Sequence, residues 1–226
     1  MIRRRKQRLD RPEVRRRVDG TEGVIVGLHG YGGDEHQLDS LLPLRLPATF
    51  VWPRAPHRVD PGWGWWEPES DELDGLLELA PAAGVDAAVK AVVGTIRDAQ
   101  ASEGLGPNRT VLVGYSQGAT LALSVAARHP ELISAVAVGA GFLLPEEIVA
   151  RRPVPLDVLV MNGSLDPIIS ADDHHQTLAR FAAAGHRVAG RIDGVPHVID
   201  SSQVAVVETM VAQRLGVTAV TSPADI

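Results

Sequence analysis

The chain has 226 residues, of which 45% are hydrophobic, and a formal net charge of −6. That length and composition fit one domain with a sizeable core, and the absence of cysteine excludes disulfides, a thiol nucleophile and thiolate metal sites. No apolar run is long enough to span a bilayer and no signal-peptide pattern follows Met1, so we expect a cytoplasmic protein without stable membrane insertion.

Residues 1–23 form a basic lead. Nine Lys or Arg and three acidic residues lie within the first 20 positions. One interpretation is an arm for anionic lipid or nucleic acid. We favour a charged edge strand or hairpin that enters the sheet through the turn at Asp19-Gly20, preceded by frayed residues. No aromatic side chain interleaves the arginines as single-stranded nucleic acid would favour, so nucleic acid is not expected as a partner.

Strand-like and helix-like patterns alternate over residues 24–215. The helix predicted around Val85–Ile96 has one apolar stripe at i, i+3, i+4, i+7 spacing. The predicted strands centre on Ile25, Val51, Leu112, Val136, Leu159 and Val188. This order predicts a single α/β domain with a mainly parallel central sheet covered by helices on both faces, and residues 216–226 are expected to form a loose tail.

A glycine-rich loop follows the first long buried strand, Val24–Leu28. Its sequence is His29-Gly30-Tyr31-Gly32-Gly33, and three glycines in four positions suit a loop that turns its amides toward a ligand. The loop lacks the G-x-x-x-x-G-K-[ST] pattern of a phosphate-binding loop, which disfavours phosphate binding. We expect His29 to brace this loop rather than transfer protons.

The stretch Gly114-Tyr115-Ser116-Gln117-Gly118 follows an apolar strand and precedes a helical segment. Strand, sharp turn and helix are the context that a G-x-S-x-G nucleophile elbow requires. The flanking glycines allow close backbone approach where a Cβ would clash. Ser116 is therefore the predicted nucleophile, and it needs a base and an orienting acid further along the chain.

His197 and Asp166 are the predicted partners of this serine, in the order Ser, Asp, His. His197 lies in the loop after the last predicted strand, and Asp166 lies in the loop after the strand Pro155–Met161, so both fall at the sheet edge that carries the elbow. Asp193, only four residues before His197, stays open as a rival acid. The amides of Gln117 and Tyr31 are the predicted oxyanion donors, since acyl transfer needs donors placed before charge develops.

Five segments together resemble the phospholipase/carboxylesterase family, which includes the acyl-protein thioesterases and belongs to the α/β-hydrolase superfamily. The resemblance covers about residues 24–215, and the five motifs in order are far more specific than any one alone. The segments are Leu28–Glu35, Trp52–Pro56, Gly114–Ala119, Gly163–Asp166 and Gly194–His197.

The resemblance implies a compact serine hydrolase without a large cap domain that acts on carboxylic esters or thioesters. Ser116, Asp166 and His197 match the family's triad, and Tyr31 and Gln117 match its oxyanion donors. The chain departs from the family at Trp63-Gly64-Trp65-Trp66-Glu67 and at Val195-Pro196. The first departure puts substrate preference in question rather than the triad.

The three tryptophans of that segment are also candidates for the substrate pocket. We expect one or two of them to pack under the loop as core, since large aromatic side chains dominate burial. The resemblance places Trp63, Trp65 and Trp66 beside the active-site mouth, and we expect at least one, foremost Trp66, to line the acyl or alcohol pocket. Bulky rings near the nucleophile would favour short to medium acyl chains. We also expect Trp66→Ala to cost little stability.

The sequence predicts a serine carboxylesterase with an acyl-enzyme intermediate, a small-molecule ester or thioester as substrate, and no metal or organic cofactor. His174-His175 is interpreted as a solvated helix end, since adjacent helical residues point to different faces. A thioesterase or lysophospholipase is the alternative within enzymes. A non-catalytic hydrolase-fold binding protein is disfavoured, because a receptor has no need of all three triad residues. A homodimer remains open.

Overall fold

A computed structural model of the chain describes residues 13–67 and 81–218. Within these residues one main sheet has the strand order β1-β3-β2-β6-β7-β8-β9, and a two-stranded sheet pairs β4 with β5. The strands are β1 (Val14–Val18), β2 (Val24–Leu28), β3 (Thr49–Pro53), β4 (His57–Arg58), β5 (Trp63–Gly64), β6 (Thr110–Tyr115), β7 (Ala135–Gly139), β8 (Asp157–Gly163) and β9 (Arg187–Asp193).

All neighbours in the main sheet are parallel except the outermost pair, β1 with β3. The helices alternate with these strands as a parallel sheet requires. They are α1 (Gln37–Leu41), α2 (Ala82–Glu103), α3 (Gln117–Arg128), α4 (Ala171–Ala183) and α5 (Ser201–Leu215). The predicted helix around Val85–Ile96 and each of the six predicted strands are confirmed.

The helices cover both faces of the sheet. Along β2, Val24, Val26 and Leu28 belong to a core shared with α2 and α3, whereas Ile25 belongs to a second core shared with α1 and α5. Alternate residues of a strand point to opposite faces, so the continuous apolar run of β2 fills both cores at once. This arrangement confirms the predicted α/β architecture, and no cap domain stands apart from it in the described ranges.

The basic lead contributes the edge strand β1, which pairs with β3 rather than forming a hairpin with β2. Its arginines contact carboxylates of the same domain: Arg15 and Arg17 both pair with Asp39, and Arg16 pairs with Glu103. Residues 1–12 carry the other cationic side chains of the lead and lie outside the described residues, so a binding role for them stays a prediction.

The helix α5 ends at the position where a loose C-terminal tail is predicted to begin. Gly216 ends α5 with φ 64°, and the Val217 amide donates to the Ala212 carbonyl at 2.9 Å, which closes the helix with a left-handed cap. Val217 packs against the core, so it belongs to the domain. Residues 219–226 lie outside the described part. None of the helices described is long and apolar enough to cross a membrane.

Candidate active site

Four loops meet at the carboxyl ends of the parallel strands, the edge where open α/β sheets bind ligands. The glycine loop follows β2, Ser116 follows β6, the loop with Asp166 follows β8, and the loop with His197 follows β9. Because these strands run parallel, residues far apart in sequence reach one edge of the sheet.

Ser116 sits at the turn between β6 and α3 with φ 54° and ψ −122°, a backbone conformation rare for a non-glycine residue. Such conformations cost about 1–3 kcal/mol and concentrate at functional sites. The flanking glycines make the turn sterically feasible. A Cβ on Gly114 would lie 2.5 Å from the Gly118 carbonyl oxygen, and one on Gly118 would lie 2.2 Å from the Leu28 carbonyl oxygen.

The side chains of the three predicted triad residues form one hydrogen-bonded chain. His197 Nε2 lies 2.8 Å from Ser116 Oγ, and His197 Nδ1 lies 2.7 Å from Asp166 Oδ2. The Asp166 side chain is fully buried, whereas the His197 ring is 19% exposed. The serine, the imidazole and the carboxylate are therefore arranged in the order that nucleophile activation requires.

The second oxygen of Asp166 is held by the backbone. Its Oδ1 accepts hydrogen bonds from the amides of Ile168 at 2.8 Å and Ile169 at 3.1 Å. A buried carboxylate needs such partners for its remaining lone pairs. They leave Oδ2 free for His197 and fix the orientation of the carboxylate.

Asp193, the rival acid, is engaged elsewhere. Its Oδ1 pairs with Arg191 Nε at 2.6 Å and its Oδ2 accepts from Gln203 Nε2 at 2.9 Å. The structure thus brings Asp166, not Asp193, to the imidazole of His197.

Tyr115, the residue before the nucleophile, supports the histidine loop and was not singled out from the sequence. Its hydroxyl donates to the His197 carbonyl at 2.7 Å, and the two rings lie with centroids 5.5 Å apart. Burial, followed by the nearby Asp166 charge, raises the pKa of Tyr115, which keeps the hydroxyl protonated as a donor. The middle position of a G-x-S-x-G motif tolerates many residues, so the motif gives no signal for this contact.

The glycine loop lies directly against Ser116. A Cβ on Gly30 would be 3.2 Å from Ser116 Cβ, so the residue before Tyr31 packs against the serine. The Gly30 amide donates a hydrogen bond to Gln37 Oε1 at 2.8 Å. Among the described residues, neither the Tyr31 amide nor the Gln117 amide is hydrogen-bonded to a protein acceptor.

His29 braces this loop. The Ala55 amide donates to His29 Nε2 at 3.0 Å, which leaves Nδ1 as the protonated nitrogen, and Nδ1 donates to the Gly30 carbonyl at 2.8 Å. Burial lowers the pKa of His29, in keeping with a neutral ring whose two nitrogens are both occupied.

The Gln117 side chain has a second structural role that the sequence did not suggest. It is buried, accepts from the Trp65 amide at 2.8 Å through Oε1, and donates to the Trp66 carbonyl at 3.2 Å through Nε2. Trp65 in turn donates its indole N–H to the His29 carbonyl at 2.8 Å. The elbow, the tryptophan segment and the glycine loop are thereby joined in one hydrogen-bonded network.

The tryptophan expectation needs a correction. Trp65 and Trp66 are each 1% exposed and belong to the core, so neither presents its ring on an open pocket wall. Only Trp63 is half-buried, and its backbone bridges to Gly33 in the glycine loop. The Trp66 indole N–H has no hydrogen-bond partner within the described residues. Pocket lining therefore stays a proposal for Trp63.

The interpretation of His174-His175 as a solvated helix end is wrong for His174. That ring is buried, because α4 turns it onto β9, where a Cβ on Gly190 would lie 2.6 Å from its Nε2. His175 is exposed. The described residues contain no cluster of three or more His, Asp or Glu side chains arranged to hold a metal ion.

The sequence profile of the phospholipase/carboxylesterase family matches residues 9–214, most of the chain. The chain belongs to the phospholipase/carboxylesterase family. The predicted membership is thus confirmed, and the match spans the elbow, the acid loop and the histidine loop.

Individual relatives agree with this membership. Esterase YpfH of Escherichia coli K12 is 31% identical over 134 residues, which cover 57% of this chain and 55% of that protein. A pimeloyl-[acyl-carrier protein] methyl ester esterase of Neisseria meningitidis is 32% identical over 142 residues, which cover 62% of this chain and 43% of that protein. The match therefore spans about half the length, or less, of these curated relatives.

Solved structures of an esterase and a carboxylesterase superpose on most of this chain. Esterase PE8 has a TM-score of 0.73 at 27% identity, with 89% of this chain and 97% of that chain covered. The Bacillus cereus carboxylesterase has a TM-score of 0.79 at 17% identity, with 90% and 94% covered. At that identity the second likeness shows the fold alone, which is the predicted α/β-hydrolase fold.

Proposed function

We propose that this protein is a serine carboxylesterase that works through a covalent acyl-enzyme. The observation that carries the proposal is the unbroken chain of hydrogen bonds from Ser116 Oγ through His197 to a fully buried Asp166, with Ser116 on a strained elbow. A serine hydroxyl is a weak nucleophile until a base removes its proton, and this arrangement supplies the base.

In the first step neutral His197 accepts the Ser116 proton at Nε2 as Oγ attacks the acyl carbon. Asp166 accepts a hydrogen bond from Nδ1, holds the required tautomer and stabilises the imidazolium. His197 then protonates the leaving alcohol, and the acyl group remains on Ser116. Water, activated by the same nitrogen, releases the acid in the second step.

We assign the oxyanion site to the backbone amides of Tyr31 and Gln117. Gln117 N–H begins the helix that follows the nucleophile, and the glycine loop abuts Ser116 through Gly30. Support comes from the lack of a protein acceptor for either amide among the described residues. Removing one donor from such a site typically lowers kcat by about 10²–10³.

The proposed substrates are esters of short to medium acyl chains. Trp63, stacked under the guanidinium of Arg54 at 4.3 Å and bridged to the glycine loop, is a bulky side chain next to the proposed oxyanion site. A thioester or lysolipid is the alternative, since the same acyl-enzyme chemistry accepts other leaving groups. A non-catalytic binding role would leave the triad geometry without a purpose. A cytoplasmic location stays a prediction from the sequence.

The test combines a probe with a substrate series. A fluorophosphonate should label the wild-type protein and not Ser116→Ala. The control Ser124→Ala, which changes a buried serine on the helix after Ser116, should label normally. p-Nitrophenyl esters of rising chain length, assayed beside acyl-CoA thioesters, should give the highest kcat/KM for a short or medium ester. Equal labelling of Ser116→Ala would refute the esterase proposal, and a preference for thioesters would establish the alternative.

A further inference from the structure

The turn at the end of β7, residues 139–141, contains a second strained residue. Ala140 has φ 54°, and in the described part of the chain Ser116 and Ala140 are the only non-glycine residues with a positive φ. Such a conformation is rare for alanine and persists only where the surrounding structure imposes it. The two strained residues are linked, because the Ser116 amide donates to the carbonyl of Gly139, the residue before Ala140, at 3.1 Å.

The β7 turn packs against two of the loops that carry the predicted triad. A Cβ on Gly141 would lie 2.4 Å from the Cβ of Ala119, in the first turns of α3. A Cβ on Gly139 would lie 2.6 Å from Cγ1 of Ile199, in the histidine loop. A shift of the turn would therefore disturb the elbow and the histidine loop together.

The side chain of Asn162, in β8, holds this turn. Its Oδ1 accepts a hydrogen bond from the Gly141 amide at 3.2 Å, and its Nδ2 donates to the Gly141 carbonyl at 3.3 Å. The Ala140 amide donates to the carbonyl of Met161, the residue before Asn162, at 2.8 Å. Asn162 is buried, so these hydrogen bonds are shielded from water. Together they fix the backbone on both sides of the Ala140 Cα.

We propose that Asn162 is a positioning residue for catalysis, an inference that rests on the proposed function. Its two hydrogen bonds to Gly141 hold Ala140 at positive φ, and in this conformation the turn presents the Gly139 carbonyl to the Ser116 amide. Loss of that restraint would misalign Ser116 Oγ with its base. A misplacement of about 1 Å at a reacting group can cost about a hundredfold in rate.

The strain at Ala140 separates this role from a purely structural one. Glycine adopts a positive φ without strain, so in Ala140→Gly the turn no longer needs the restraint that Asn162 provides. A positioning asparagine should then matter much less. An asparagine that only satisfies buried backbone groups would be equally important in both backgrounds, because its effect would not depend on the residue at position 140.

The experiment is a double-mutant cycle of Asn162→Leu and Ala140→Gly. Leucine is similar in size to asparagine and removes both hydrogen bonds to Gly141. The readouts are the second-order rate constant for fluorophosphonate labelling, kcat and KM for a p-nitrophenyl ester, and unfolding in urea. We expect Asn162→Leu to lower the labelling rate constant and kcat by about tenfold or more at a nearly unchanged KM. In the Ala140→Gly background the same change should lower both far less.

Thr177→Val is the matched control on the same connection. The Thr177 hydroxyl, on α4, accepts from the Leu143 amide at 2.9 Å, so this variant removes a buried hydrogen bond two positions beyond Gly141. It should lower the free energy of unfolding and leave the labelling rate constant unchanged. A comparable loss of labelling rate in Thr177→Val would show that any loosening of this connection suffices, and would overturn the specific role of Asn162.

Should Asn162→Leu fail to fold, Asn162→Ala takes its place in the cycle, since it leaves room for water at the Gly141 backbone. An unchanged labelling rate constant in the folded variant, or an equal loss in both backgrounds, would overturn the inference. So would a crystal structure of the variant that keeps Ala140 at positive φ and the Ser116 amide on the Gly139 carbonyl. A wild-type protein that fluorophosphonate does not label would instead refute the proposed function.

Discussion

The Tyr115 hydroxyl donates a hydrogen bond to the His197 carbonyl at 2.7 Å, so the residue before Ser116 holds the loop that carries His197. Tyr115 lies at the end of β6 and His197 lies beyond the end of β9, 82 positions apart in the sequence. The contact ties two of the four site loops together independently of the triad itself.

Tyr115→Phe should therefore lower kcat clearly while lowering the free energy of unfolding only slightly. Loss of one such hydrogen bond typically costs about 0.5–1.5 kcal/mol, while the ring and its packing against His197 remain. We expect kcat to fall by about tenfold at an almost unchanged KM, because a loosened His197 affects the chemical step. Steady-state kinetics and a urea titration check both parts. An unchanged kcat would mean that the triad alone holds the histidine.

Asp166→Asn should lower kcat/KM by about 10³–10⁴, since the amide cannot hold the imidazole in the required tautomer. The amides of Ile168 and Ile169 can still bind the remaining oxygen, so the fold should persist. Asp193→Asn is the matched control, and it should retain most of the activity because Asp193 contacts Arg191 and Gln203 instead. The reverse ranking would move the acid role to Asp193.

Gln117→Met changes only the side chain and keeps the backbone amide that is the proposed oxyanion donor. We nevertheless expect it to lower kcat. It removes both hydrogen bonds to the tryptophan segment, and with them the link from the elbow to the glycine loop. We expect affinity for a boronic acid transition-state analogue to fall in parallel with kcat/KM, by about tenfold. Gln100→Met also removes two amide hydrogen bonds, at the far end of β6, and should change stability without changing analogue affinity.

Trp63 and Trp66 should respond differently to truncation. Trp66→Ala removes a fully buried ring and should cost about 3–5 kcal/mol of unfolding free energy, with the chain-length profile unchanged. Trp63→Ala removes a half-buried ring and should shift the ester optimum toward longer chains at a smaller cost in stability. Chemical denaturation and the p-nitrophenyl ester series measure the two effects. A shifted profile in Trp66→Ala alone would restore the pocket role to that residue.

The sequence predicts most of the fold because the central strands β2, β3, β6, β7 and β8 are short, largely apolar runs and α2 has a single apolar stripe. The triad residues were readable for a related reason. Ser116 carries the elbow motif, and parallel strands deliver Asp166 and His197 to the same edge in a fixed order. Such local signals remain visible in one sequence without any knowledge of side-chain packing.

What sequence reasoning missed depends on side chains that meet only in three dimensions. The size of the tryptophan rings predicts that one or two of them pack as core, but nothing in the sequence shows that Trp66 is one of these. The rings of Trp65 and Trp66 both fill the core. The Gln117 side chain binds backbone groups more than 50 positions earlier in the sequence. The hydrophobic periodicity of the sequence does not indicate such a contact. The sequence indicates a solvated His174 because adjacent helical residues point to different faces, but α4 packs the face that carries His174 on β9.

The central claim is that Ser116 carries the acyl group between the two chemical steps. Its most direct test is acid-quench mass spectrometry of the protein during turnover of a short-chain p-nitrophenyl ester, followed by peptide mapping. We predict an added acyl mass on the peptide that contains Ser116, and no adduct in Ser116→Ala. Turnover by Ser116→Ala at the wild-type rate, or an adduct mapped to another residue, would contradict the account.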